Sequence, residues 1–158
     1  MIKKIVFLGG EDVSARIDIS KRLIKVGYEI EIIGSEDAGL FVENNIKYTK
    51  LILNREFNIT DDLKTIVTLR TLLKQFSEDV IVHAFDTKLT MFLPIASIGL
   101  KKIRVVRTIN GMGRIFTAQN VTNSFLSLLY KLIHKSVKNN VDFTIFQNSD
   151  NFKYFVKK

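Results

Sequence analysis

Short apolar runs alternate with amphipathic stretches along this chain, and glycine or polar clusters separate them. Lys4 to Leu8 is a β-rich apolar run stopped by Gly9-Gly10. From Val13 to Val26 the positions Val13, Ile17, Ser20 and Ile24 share one helical stripe that ends at Gly27, and Glu29 to Ile33 resumes as a strand. This is a βαβ unit, and right-handed crossover makes its two strands parallel. Tyr48 to Leu53 reads as a third strand and Asn54 to Thr60 as a polar connection. Thr60-Asp61-Asp62 resembles a helix cap with an acidic first turn, ahead of Leu63, Ile66, Leu69, Leu73 and Phe76, near which that helix is expected to end.

Strand, helix and strand repeat through Val80 to Ala84, Thr87 to Ile98 and Arg104 to Ile109, with Pro94 expected to kink or delay the helix. A long loop, Asn110 to Asn120, leads to a helix over Val121 to Val137, a strand over Phe143 to Gln147 and an amphipathic tail from Ser149 to Lys158. There is no internal repeat, linker or low-complexity segment. The alternation predicts an α/β, Rossmann-like doubly wound, mainly parallel sheet of about six strands with helices on both faces.

At 158 residues the chain fits a single domain. A domain of this length buries roughly 70% of the surface its unfolded chain exposes. Without cysteine there are no disulfides or thiolate metal sites, and two histidines alone do not make a zinc site, so neither metal nor cofactor is expected. The formal charge of +8 favours an anionic partner. Nucleic acid is disfavoured, because there is no aromatic stacking platform, helix-turn-helix signature or single basic stripe. The apolar run Ile5 to Leu8 is too short for a signal h-region or a spanning helix, which points to a cytoplasmic protein.

Candidate chemistry gathers where strands end. Gly9-Gly10 opens the first helix, where backbone amides and the helix dipole could receive a phosphate. The G-x-G-x-x-G spacing is missing, and Glu11 and Asp12 put negative charge where a pyrophosphate would lie, so a plain tight turn and a ligand loop both stand. His83, Asp86 and Lys88 could present an imidazole, a carboxylate and an ammonium to one crevice. Equally, His83 could be a satisfied strand residue, Asp86 a helix cap and Lys88 a solvated cation. Asn110-Gly111-Met112-Gly113-Arg114 would let backbone approach a ligand while Asn110 donates and accepts hydrogen bonds, or would be a flexible connection. On the helix over Val121 to Val137, apolar positions spread over about half the circumference. Lys131, Lys135 and Lys138 cluster opposite them. Packing on the sheet explains that pattern, and so does an anionic lipid surface met by the lysines and His134.

The order strand, His83-Ala-Phe-Asp-Thr-Lys88, helix, strand, Arg107-Thr-Ile-Asn-Gly-Met-Gly-Arg-Ile-Phe-Thr117, basic helix with Leu128-Leu-Tyr-Lys-Leu132, and Phe146-Gln-Asn-Ser-Asp150 resembles the N-terminal half of glycosyltransferase family 4 enzymes. The likeness is to bacterial members that build capsule, O-antigen and related lipid-linked glycans. It implies a GT-B arrangement of two Rossmann-like domains, of which this chain is the acceptor-side one. The family's glutamate-rich donor motif has no place here, so the expectation is an excised domain or one subunit of a split enzyme, inactive by itself.

By that resemblance Gly9 and Gly10 would border the donor phosphates and acceptor, while His83, Asp86 and Lys88 would line the acceptor side of the cleft. Asn110, Gly111, Met112 and Gly113 would face the reacting sugar, with Arg114 beside them. Many relatives carry histidine where this chain has Asn110, and an asparagine cannot be a general base, so Asn110 is cast as a positioner. The implied partners are a nucleotide-sugar donor, held mainly by a domain outside the chain, and a lipid-linked glycan acceptor. Lys131, Lys135 and Lys138 would dock the protein peripherally on the inner face of the membrane. The alternative is a non-catalytic membrane-recruiting or partner-binding subunit of a split glycosyltransferase.

Overall fold

The apolar runs become six strands, β1 (Lys4–Leu8), β2 (Glu29–Gly34), β3 (Lys47–Lys50), β4 (Val80–Ala84), β5 (Ile103–Ile109) and β6 (Phe143–Phe146). The computed structural model describes residues 2–56, 58–110 and 132–156. All pairings are parallel and the strand order is β3-β2-β1-β4-β5-β6. The chain therefore has the doubly wound, Rossmann-like architecture that its alternation of elements predicts.

Side-chain alternation divides the strands between two helical layers. Val6 and Leu8 of β1, Val80, Val82 and Ala84 of β4, and Ile103 and Val105 of β5 face α3 (Ile59–Leu73) and α4 (Leu89–Ala96). Leu69, Leu73, Leu89 and Leu93 close this larger core from the helical side. Burying each such side chain contributes about 1.5–3 kcal/mol. Phe7, Ile30 and Ile32 point the other way, onto Val13 of a 3-10 turn (Val13–Arg16) and Phe41 of the short α2 (Gly39–Glu43).

Several boundaries differ from the sequence pattern for identifiable reasons. Ile24 of α1 (Ile17–Lys25) is 41% exposed, and Leu23 packs inward in its place. The first turn of that helix is 3-10, with three residues per turn instead of 3.6, so the inward stripe is out of phase beyond Arg16. β3 stops at Lys50, yet Leu51 and Leu53 stay buried as irregular chain; apolar alternation reports burial and cannot distinguish it from pairing. Asn58, not Thr60, caps α3, its Oδ1 accepting the amides of Thr60 and Asp61 at 3.0 and 3.2 Å. That helix ends at Leu73, and Phe76 reaches the core from the turn that follows.

α4 is shorter than Thr87 to Ile98 at both ends, with Pro94 buried two residues before its last turn closes. α2, five residues long, was too short to show a period. Beyond β5, residues 132–137 are helical, a 3-10 turn covers Lys138–Asn140, and Ser149–Val156 forms the C-terminal helix. The rest of the helix read over Val121 to Val137 lies outside the described residues.

Glycine decides how the rim of the sheet closes. A methyl group on Gly34, the last residue of β2, would lie 2.5 Å from Val13 Cγ1 and 3.3 Å from the carbonyl oxygen of Gly9. The β1 turn thus rests directly on the end of β2. Gly34→Ala is expected to destabilise the fold by about 1–3 kcal/mol through overpacking, read as a lower urea midpoint at unchanged slope.

Candidate functional site

β1 and β4 are neighbours, but their crossovers leave in opposite directions, so the sheet opens a crevice beyond their carboxyl ends. The Gly9 amide donates to the Ile33 carbonyl at 3.0 Å, tying the turn after β1 to β2. A methyl group on Gly10 would stand 3.1 Å from Asp86 Oδ2 and 3.4 Å from Leu53 Cδ2, so glycine lets the exits of β1, β3 and β4 touch. The Asn110 side-chain amide donates to the Phe85 carbonyl at 3.3 Å and ties the exit of β5 to that of β4. The turns beginning at Gly9, His83 and Asn110 consequently share one rim.

Within that rim the side chains have separate jobs. His83 faces the α1 side of the sheet, with Nε2 2.8 Å from Thr108 Oγ1 and its ring 4.0 Å, centroid to centroid, from Phe85. Burial, and secondarily the positive charge of Arg16, lower its pKa to about 4, so the imidazole is neutral at physiological pH. Asp86 Oδ1 accepts the Lys88 amide at 2.8 Å ahead of α4. Lys88 directs its ammonium to the carbonyls of Asn54 and Glu56 at 2.8 and 2.6 Å and to Asp62 Oδ1 at 2.6 Å. Those three acceptors use all three of its donors. Lys88 therefore clamps the loop after β3 against the rim.

Gly111, Met112, Gly113 and Arg114 lie outside the described residues, as does Lys131. Lys135 and Lys138 are exposed, whereas His134 beside them is buried, so it does not join the lysines at the surface. Burial first, then the nearby Arg107 charge, lower the His134 pKa to about 3; this ring belongs to the interior. Among the described residues no helix is long and apolar enough to cross a membrane.

Two features of the rim carried no sequence signal. Leu53 and Asn54, read as strand end and connection, line a cavity of about 580 Å³ beside α3 with Leu51, Asp61, Lys64 and Thr65. Arg16, an ordinary basic residue on a helical pattern, places its guanidinium 4.1 Å from the Phe85 ring centroid. Only tertiary packing brings Arg16 to the exit of β4, sixty-odd residues away in sequence.

The chain superposes on the crystal structure of a glycosyltransferase from Rickettsia africae ESF-5 with a TM-score of 0.64 at 15% sequence identity. It shares that fold. The alignment covers 98% of this chain and 39% of that one, so the chain spans about two fifths of the matched protein. No protein-family description and no curated protein matches the sequence.

Two predictions follow from the side-chain geometry. Replacing Lys88 by methionine leaves Asp62, 13% exposed at its side chain, and two loop carbonyls without their shared cation. A loss of about 1–3 kcal/mol is expected by urea unfolding, with faster proteolysis between Asn54 and Asn58. Acidification should also destabilise the fold. Unfolded histidine titrates near pH 6.5, whereas His83 and His134 titrate near 4 and 3 when folded. Below pH 6.5 the unfolded chain binds protons that the folded chain refuses. Stability held above pH 6.5 should then fall toward pH 4 by up to about 1.4 kcal/mol per unit for each ring, and His83→Gln should make the slope shallower.

Proposed function

We propose that the chain is the acceptor-binding domain of a retaining glycosyltransferase. In this reading it helps transfer a sugar from a nucleotide-sugar to a lipid-linked glycan in the synthesis of bacterial surface polysaccharide. The observation that carries the reading is the shared rim of the β1, β4 and β5 exits at the switch point of a sheet whose fold matches a glycosyltransferase structure. The donor-holding domain lies outside these residues, and the coverage of 39% of the matched chain is consistent with that.

The chemistry asks orientation of this half. Glycosyl transfer needs stabilisation of the departing diphosphate and of an oxocarbenium-like centre, with one acceptor hydroxyl held close. His83, with a pKa near 4, is a weak base at neutral pH and already faces Thr108, so it serves as a neutral wall and hydrogen-bonding group. Asn110, exposed beside Phe85, positions a hydroxyl. The cavity lined by Leu53 and Asn54 gives an acceptor sugar room beside α3. Exposed Lys135 and Lys138 face an anionic membrane that carries the acceptor, and Lys131 would add a third positive charge.

A second reading, a partner-binding subunit of a split glycosyltransferase, is favoured by one observation. On the α1 side, Phe143 and Ile145 of edge strand β6 are 71% and 47% exposed, where parallel sheets ordinarily carry a covering layer.

Titration of the chain with a short polyprenyl-diphosphate-linked oligosaccharide should shift the amide resonances of Gly9, Gly10, Phe85, Asp86 and Asn110. Shifts confined to other surfaces would sink the acceptor reading. Flotation with anionic liposomes should weaken with salt, and the partition coefficient should fall by about a hundredfold or more when Lys131, Lys135 and Lys138 are changed to glutamate, each lysine contributing about 1 kcal/mol. Unchanged flotation removes the membrane-facing part alone.

A further inference from the structure

We propose that Arg16, stacked on Phe85 at the rim, is the receptor for a phosphate or diphosphate group of the bound ligand. The inference rests on the glycosyltransferase reading for the identity of that ligand, and on the geometry of the rim for the site itself.

Arg16 ends the 3-10 turn that follows the Gly9-Gly10 turn, and its side chain lies over the Phe85 ring at 4.1 Å. Backbone hydrogen bonds and ring contacts hold Phe85 in place. Phe85 donates its amide to the Leu8 carbonyl at 3.1 Å, accepts the Asn110 side chain at 3.3 Å, and packs against His83 and Phe7 with centroids 4.0 and 5.8 Å away. A guanidinium held over an aromatic face can still use its edge, the donor fork that matches phosphate oxygens, for a ligand.

Three carboxylates of the neighbouring loops have other partners. Glu11 pairs with Arg55 at 3.1 Å, Glu36 accepts the Ser14 amide at 2.8 Å, and Asp86 accepts the Lys88 amide at 2.8 Å. Arg16 makes no ion pair among the described residues. Its charge instead acts on His83, whose protonation it opposes. A half-buried cation that opposes protonation of a neighbouring imidazole and makes no ion pair among the described residues is an arrangement that an incoming anion relieves.

The same turn offers further donors. The backbone amides of Gly10, Glu11 and Asp12 donate to no acceptor among the described residues. Arg16 therefore adds the charge that Glu11 and Asp12 seemed to deny this turn, and places it on the α1 side of the rim, away from Asp86 at Gly10.

The chain has only two histidines, so proton NMR of the imidazoles reads the site directly. Inorganic pyrophosphate is expected to bind and to raise the His83 pKa while leaving buried His134 unmoved. Arg16→Gln should weaken pyrophosphate binding by about tenfold or more, and should itself raise the His83 pKa by removing the opposing charge. Arg16→Lys, which keeps charge but loses the planar fork, should fall between. Lys21→Gln, which removes one charge from the exposed side of α1, is the control and should change affinity less than twofold.

Equal weakening by Arg16→Gln and Lys21→Gln would reduce the effect to net charge and overturn the proposal. So would saturation with pyrophosphate that leaves His83 unshifted, or no binding at millimolar pyrophosphate by a variant-free, cooperatively folded chain. Uridine diphosphate and geranyl diphosphate identify the source of the group: tighter binding of the former assigns a nucleotide, of the latter a lipid-linked acceptor. A chain that binds lipid-linked glycan at the rim with Arg16 replaced and unaltered affinity refutes the receptor and leaves the acceptor reading standing; a chain that binds pyrophosphate through Arg16 but no glycan does the reverse.

Discussion

Parallel pairing of β1 with β4 in the middle of the sheet is the constraint on which everything else depends. From β1 the chain winds toward β2 and β3, and from β4 it winds toward β5 and β6. Right-handed crossovers then put α1 and α2 on one face and α3 and α4 on the other. The two turns that leave this central pair have no crossover between them, so a crevice opens there by topology before any side chain is chosen.

Small residues turn that crevice into a continuous rim. Gly10 admits Asp86 and Leu53, Gly9 and Gly34 admit Val13, and the resulting contacts join exits that lie tens of residues apart in sequence. Polar clamps then hold the loops in place. Lys88 fixes the connection after β3 and Asn110 fixes the exit of β5, so that Arg16, the neutral imidazole of His83 and the amides of the first turn lie together at the rim. A site of this kind orients and stabilises charge; general-base chemistry is not what its imidazole is tuned for.

Among the described residues the α1 face of the sheet is unevenly covered. α1 and α2 pack over the β1 to β3 half of their face, through Phe7, Ile30, Ile32 and Phe41. On the β4 to β6 half, Phe143 and Ile145 remain open to solvent, with Arg16 and Phe85 where the two halves meet. The anion receptor and the apolar surface are thus neighbours on one face of the molecule, which suits a ligand or partner with both characters.

Apolar periodicity determined the fold class by itself, because Lys4 to Leu8, Val80 to Ala84 and Ile103 to Ile109 are short, mostly buried β-rich runs alternating with helical stretches, a pattern that reads as inner strands of a parallel sheet. It also located the exits at Gly9, His83 and Asn110, since polar and glycine residues interrupt the pattern there. Where burial and pairing part company it misled: Leu51 and Leu53 are interior without being strand, and the 3-10 turn rotated α1 so that Ile24 lies outside. Tertiary structure alone decided that Lys88 is a clamp, that His134 is interior, and that Arg16 meets Phe85. The reason is physical: strand and helix periods are local, repeating every two or 3.6 residues, whereas a charge's partners are set by which chain ends the crossovers carry to the same edge of the sheet.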